Sequence, residues 1–232
     1  MKLTLFDLDH TLLAGDSDVL WCSFLLARHE LDRAVFAPKN AAMEAAYRAG
    51  NVSPREFCDF YVGTLAGRSA ADWEPLRQAF LEQEIVPRLP ASAREVVARH
   101  QAAGDLVVMT TATNRFITEL TAAHLKIEHL IATECEIAAD GCFSGRTAGV
   151  LNMREGKVER LHAWLAERGL RLQAWLAGRG LRLQDIDSTA YSDSINDLPL
   201  LAEVQHAVVV NPDARLAAEA RSRGWPRLDL HA

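Results

Sequence analysis

The sequence predicts an α/β protein: a mostly parallel sheet covered by helices on both faces, with an all-helical lobe inserted after the first strand. Three observations predict it. Short apolar runs alternate with amphipathic stretches over most of the 232 residues, the pattern of parallel strands joined by crossover helices. Residues 15–85 break that alternation and read as helix. Three strand ends carry polar clusters: Asp7/Asp9, Thr110/Thr111/Thr113 and Asp193/Asn196/Asp197. Ligands in such sheets bind outside the carboxyl ends of the strands, so the clusters point to one site. The core is expected over 1–14 and 86–232, and the helical lobe over 15–85.

The first strand is LTLF (3–6), which runs into DLDHT. Alternation with period two puts Leu5, Asp7 and Asp9 on one side and turns His10 away. Two carboxylates that close repel, and burial raises the cost. A positive group must hold them, or they must lie in water. In the lobe, 19–29, 37–49 and 53–67 carry apolar residues at three- and four-residue spacing. Ser53, Pro54 and Glu56 form a capping-box start. Trp21, Phe24, Phe57, Phe60 and Tyr61 are expected in the lobe's core. Pro87 and Pro90 end the block, and hinges are expected at Ala14-Gly15 and Arg88 to Pro90.

A helix over 91–104, closed by Gly104, leads to a buried strand at 105–113 that ends in hydroxyls. A helix over 114–125 follows. Asp140-Gly141 splits a hairpin. A helix over 156–169, a strand–loop–helix over 188–204, a strand at 206–212 and a helix over 214–224 complete the chain. Within it, HAWLAERGLRL (162–172) is repeated at once as QAWLAGRGLRL (173–183). Eleven residues are about three helical turns. This reads as a local surface duplication without chemistry of its own.

A net charge of −6 argues against a nucleic-acid partner. Four cysteines without a CxxC pair read as reduced thiols of a cytoplasmic protein. No run is long enough to span a membrane, and acidic residues interrupt the first apolar run at once.

Each polar cluster has a bland reading. Asp7-x-Asp9 could be a chance pair, Thr111 a helix cap, Lys157 a solvated lysine and SDSIND a turn. Together they describe one reaction. Asp7 is placed to attack phosphorus, and Asp9 to protonate the leaving alcohol and then activate water. Mg2+ would bridge Asp7, a phosphate oxygen and Asp193. Thr111 would bond a phosphoryl oxygen, and Lys157 would neutralise nucleophile and phosphate. Asn196 and Asp197 would orient the lysine and the metal's waters.

LFDLDHT, TTAT, GKVERL and YSDSINDLPLL resemble, in order, the four motifs of the haloacid dehalogenase-like phosphohydrolases. The helical block resembles the cap of the phosphoserine phosphatase-like branch. The resemblance implies a Rossmann-like core with an inserted α-helical cap, and Mg2+-dependent hydrolysis of a small phosphorylated metabolite. It carries catalytic roles to Asp7, Asp9, Thr111 and Lys157, with Thr110 as the competing hydroxyl. It places metal binding on Asp7, Asp9, Asp193 and Asp197. It adds the main chain of Ala112 and Thr113 as substrate contacts; Asp16 and Asn196 join them, and Asn114 and Arg115, just past the second motif, face the site mouth if the strand ends at Thr111.

Two departures stand out. The branch carries a glutamate nine residues after the nucleophile, where this chain has Asp16. Its carboxylate-gripping arginine falls near Asp59, with Arg55 and Arg68 out of register. This points to a substrate with an amine or hydroxyl, such as histidinol phosphate, with phosphoserine the other candidate. Lys157 and Asp193 are 36 residues apart, about one repeat too many, so the extra copy should bulge outward. Two competing functions remain: transfer of the phosphoryl group to another acceptor, and a non-catalytic phosphate- or metal-binding module.

Overall fold

The structure is a computed structural model and describes residues 2–167 and 187–231. The second copy of the duplication and the end of the first lie outside the described residues. Strand β1 (Leu3–Phe6) is followed by α1 (Ser17–Ala27), α2 (Arg33–Ala49), α3 (Pro54–Val62) and α4 (Ala70–Phe80). Then come α5 (Ala91–Ala102), β2 (Leu106–Asn114), α6 (Arg115–His124), β3 (His129–Ile137) and β4 (Phe143–Ala148). The chain continues through α7 (Glu155–Glu167), β5 (Ser188–Ser192), α8 (Leu198–Glu203), β6 (His206–Val210), α9 (Ala214–Arg223) and β7 (Arg227–Leu228).

The strands form a seven-stranded sheet in the order β4-β3-β2-β1-β5-β6-β7. Pairing is parallel except between β3 and β4. All four residues of β1 are buried, as both-face coverage requires. Phe6 lies abreast of Met109 on one side and Tyr191 on the other. Asp7, Thr110–Thr111 and Ser192–Asp193 therefore come together at the carboxyl ends of β1, β2 and β5, as the three clusters require.

The helical block departs from expectation in detail. α2 starts at Arg33, because Asp32 caps it through Ala34 N–H, and Pro38 is held inside it. α4 has its own capping box from Ser69 and Asp72. A π turn over Leu81–Ile85 and a 3-10 turn over Val86–Arg88 return the chain to the core. The two-residue edge strand β7 carries too short an apolar signal to be read from sequence.

The block and the sheet share one apolar core. Trp21, Phe24, Trp73 and Phe80 belong to the same buried cluster as Phe6, Met109 and Phe116. Trp21 packs edge-on against Phe80, with centroids 5.1 Å apart. A smaller cluster of Cys22, Leu26, Phe57, Cys58 and Tyr61 is the block's own. The two chain crossings into the block meet, where Ala14 N–H donates to the Arg88 carbonyl at 2.9 Å. Gly15 there has φ +153, with Leu20 and Arg88 packed beside it, a backbone that L side chains rarely adopt.

Candidate active site

β1 ends at Phe6, and the chain turns sharply after it. Asp7 N–H still continues the ladder by donating to the Tyr191 carbonyl at 3.0 Å. Its carboxylate is buried and meets two donors. Lys157 Nζ lies 2.7 Å from Oδ1, and Thr11 Oγ1 lies 3.3 Å from Oδ2. Lys157 is itself buried and also donates to Asp197 Oδ2 at 2.7 Å. Asp197 Oδ2 takes a second donor, Ser192 Oγ, at 2.7 Å. This is the positive group the opening carboxylates required. Burial by itself would lower the Lys157 pKa, but the carboxylates of Asp197 and Asp7 outweigh it and raise it. The 36-residue spacing has not displaced the lysine.

Asp9 is held differently. Oδ1 accepts Ser17 N–H at 2.7 Å. Oδ2 lies 2.9 Å from Thr113 Oγ1 and 3.3 Å from Thr111 Oγ1. Thr110 turns the other way, to Asn152 Nδ2 at 3.0 Å. Asn152 also reaches the carbonyls of Thr111 and Ile131 and so pins β2 to β3. Of the two, Thr111 is the hydroxyl that reaches Asp9, although it is fully buried behind the cavity wall that Ala112 and Thr113 form. The Thr113 N–H lies against Thr111 Oγ1 at 3.2 Å.

Asp7, Asp9, Asp16, Ala112, Thr113, Lys157, Asp193, Asn196 and Asp197 all line one narrow cavity of about 50 Å³. His10 lines it as well, against expectation. The alternation that turned it away ends with the strand, and His10 sits at φ 56 in the turn. Asp16 caps α1 by accepting Val19 N–H at 3.0 Å. Asn196 Oδ1 accepts from Arg154 Nε at 3.3 Å.

Two expected contacts are not brought in. Asn114 is buried as the N-cap of α6, accepting Ile117 N–H at 3.1 Å. Arg115 swings to β3, makes a two-pronged ion pair with Glu134 and lines a different surface cavity. The first turn of α6 aims it there. The two out-of-register arginines are engaged elsewhere. Arg55 donates to Thr147 on β4, and Arg68 pairs with Glu30. Asp59, at the register of the missing arginine, accepts Thr147 N–H and Oγ1–H.

The four carboxylates expected at the metal, Asp7, Asp9, Asp193 and Asp197, all line the narrow cavity. Among the described residues no three His, Cys, Asp or Glu side chains form a metal cage. Asp7 and Asp193 flank one hydroxyl, Thr11 Oγ1, at 3.3 and 3.2 Å. Burial pushes the Asp7 carboxyl up to about 7 against the pull of Lys157, with Asp197 and Asp9 adding to the rise. Burial, then Asp7 and Asp197, raise Asp193 as well. Two carboxylates side by side fit Mg2+, which binds through one or two carboxylates and keeps waters and phosphate oxygens.

A sequence profile of the haloacid dehalogenase-like hydrolases matches residues 4–202. The chain belongs to the haloacid dehalogenase-like hydrolases. A histidinol-phosphatase of Neisseria meningitidis serogroup C (strain 8013) is 36% identical over 230 residues, 99% of each chain. Phosphoserine phosphatase SerB1 of Mycobacterium tuberculosis (strain ATCC 25618 / H37Rv) is 31% identical over 97% of this chain and 70% of its own. A crystal structure of a protein of unknown function from Bordetella pertussis Tohama I superposes with a TM-score of 0.85 at 39% identity, covering 99% of this chain and 98% of that one. This haloacid dehalogenase-like hydrolase is an enzyme, a phosphatase of the phosphoserine phosphatase-like branch. The binding-module alternative falls with that. Sequence reasoning assigned no task to Thr11, Ser192, Asn152 or Arg154. Only Thr11 carried a signal, as the last position of DxDxT.

Proposed function

We propose that the chain is a Mg2+-dependent phosphatase that hydrolyses a small phosphomonoester through an aspartyl-phosphate on Asp7. The observation that carries the reading is buried Lys157, 2.7 Å from both Asp7 and Asp197, beside an Asp9 held by hydroxyls. Lys157 anchors one oxygen of Asp7 and leaves the other edge, toward Thr11, to face phosphorus. Asp7 oxygen bonds to phosphorus as the ester P–O bond breaks. Asp9 gives its proton to the departing alkoxide. Asp9 then takes a proton from water, whose oxygen attacks phosphorus and releases the Asp7 carboxylate and phosphate. Thr111 and Lys157 stabilise the charge on the transferring group. Mg2+, held by Asp7 and Asp193, would supply charge neutralisation at the phosphoryl oxygens.

Residues 15–85 act as a cap over the site, hinged where Ala14 meets Arg88. The substrate is an amino-alcohol or amino-acid phosphate. Histidinol phosphate and phosphoserine are the two candidates that the relatives' names supply. Asp59 stands at the register of the arginine that grips the serine carboxylate, which favours the first. A cytoplasmic setting agrees with four unpaired cysteines, and no described helix is long and apolar enough to cross a membrane.

Phosphate release with Mg2+ across a panel of phosphomonoesters, with an EDTA control, tests this. Asp7→Asn is expected to cut turnover on the order of 10³-fold or more with the fold intact. Turnover near wild type in that variant, or release indifferent to EDTA, would overturn the mechanism.

A further inference from the structure

Asp18 stands in the first turn of α1, where the helix dipole favours an acid. Such an acid usually faces water. Asp18 is instead 1% exposed, and its Oδ1 has no hydrogen-bond partner. Its Oδ2 lies 3.1 Å from Thr113 Oγ1 at the end of β2. The same Thr113 hydroxyl lies 2.9 Å from Asp9 Oδ2 and 3.2 Å from Ser17 Oγ.

A hydroxyl has one hydrogen to give and two lone pairs to fill. Thr113 therefore donates to only one of the two carboxyl groups. The other must bring its own proton to the contact, because two oxygens without a hydrogen between them repel. Asp9 fits the ionised partner. It lines the narrow cavity, and Ser17 N–H and Thr111 Oγ1 also meet it. Asp18 fits the protonated one. A buried anionic oxygen without a donor costs far more than a neutral carbonyl. Burial, then the charges of Asp16 and Asp9, push the Asp18 carboxyl well above the usual carboxylate range. Asp18 and Ser17 then fill both lone pairs of Thr113, and its hydrogen points to Asp9.

We propose that Asp18 is a positioning residue for the acid–base step: as a neutral acid it donates to Thr113, which turns the Thr113 hydrogen onto Asp9 and holds the Asp9 carboxyl in place. Ser17 N–H grips the other oxygen of that carboxyl, so the start of α1 fixes Asp9 from both sides. Without a donor at position 18 the Thr113 hydroxyl is free to turn, and Asp9 meets the leaving oxygen in fewer productive orientations. The inference rests on the phosphatase reading above.

The test is steady-state kinetics with Mg2+ for wild type, Asp18→Asn and Asp18→Leu. The substrates are p-nitrophenyl phosphate and whichever of histidinol phosphate and phosphoserine wild type hydrolyses faster. An alkoxide needs the Asp9 proton to leave, whereas p-nitrophenolate does not. Asp18→Leu removes the donor, and kcat on the alkyl ester is expected to fall about tenfold more than on p-nitrophenyl phosphate, with KM little changed. Asp18→Asn keeps an N–H donor for Thr113 and should stay within about threefold of wild type on both. Equal losses on the two substrates, no loss on either, or an Asp18→Asn as impaired as Asp18→Leu, overturn the proposal. Infrared spectroscopy at pH 8 reads the proton directly and depends neither on turnover nor on the folding of Asp18→Leu. Wild type should show a protonated-carboxyl band that Asp18→Asn lacks, and the absence of that band overturns the proposal. If wild type hydrolyses neither alkyl ester, the phosphatase reading fails by itself, and the band alone decides the Asp18–Thr113 bond.

Discussion

Lys157 stands at the third position of α7, where the helix dipole opposes a cation. Two carboxylates at 2.7 Å reverse that preference. Lys157→Met leaves Asp7 and Asp197 buried without a counter-charge. Stability at pH 8 should fall by about 3–5 kcal/mol, and by less at pH 5, where protonation relieves the repulsion. kcat should fall on the order of 10²–10³-fold. Denaturant titrations at both pH values, with turnover, check it. Asp16 offers a cleaner titration. Burial, then Asp9, push its carboxyl up to about 7. Between about pH 4 and 7 the native state therefore holds more protons than the unfolded chain, and stability drops as pH rises through that window. Asp16→Asn keeps an N-cap and removes the charge. Its melting point should exceed wild type's at pH 8, by about 2–4 °C for each kcal/mol recovered, and the gap should shrink at pH 4. A gap equal at both pH values would count against it.

At the scale of elements, the sheet was legible because its strands are continuous apolar runs, and β1 is buried on both faces. The clusters at the strand ends were legible for the same reason, since the ends of such runs mark the ligand edge. The loop geometry past those ends was not. His10 faces the cavity only because the chain leaves strand geometry after Phe6. Asn114 was expected at the site mouth, yet its side chain is the N-cap of α6. Asn114→Ala should cost about 1 kcal/mol of stability and leave KM for phosphomonoesters near wild type. A large rise in KM would return Asn114 to the site. Arg115 belongs to the same lesson: one residue further on, the helix points the side chain at Glu134.

At the scale of the whole molecule, the lobe and the sheet bury Trp21, Phe80, Met109 and Phe116 together. Sequence reading drew the lobe as a separate unit, because helical periodicity reports which residues are buried but not against what. The duplicated segment bears on the whole chain too. Lys157 reaches Asp7 with the extra copy present. Deletion of residues 173–183 should leave kcat/KM within about threefold of wild type, an effect under ~1 kcal/mol. A fall beyond that would show that the longer connection positions α7.

The sequence by itself determined the fold class and the charged set of Asp7, Asp9, Lys157, Asp193 and Asp197. Local periodicity marked the strand ends where Asp7, Asp9, Asp193 and Asp197 lie, and the resemblance of GKVERL to a family motif added Lys157. Only the tertiary structure decided what each side chain touches. Thr11 joins Asp7 to Asp193 across 182 residues of chain, and Ser192 braces Asp197. Asn152 takes Thr110 away from the site and leaves it Thr111. Asp18 reaches Thr113 across 95 residues of chain. Hydroxyl direction, helix orientation and cavity shape depend on packing between distant segments, and no pattern along the chain records that packing.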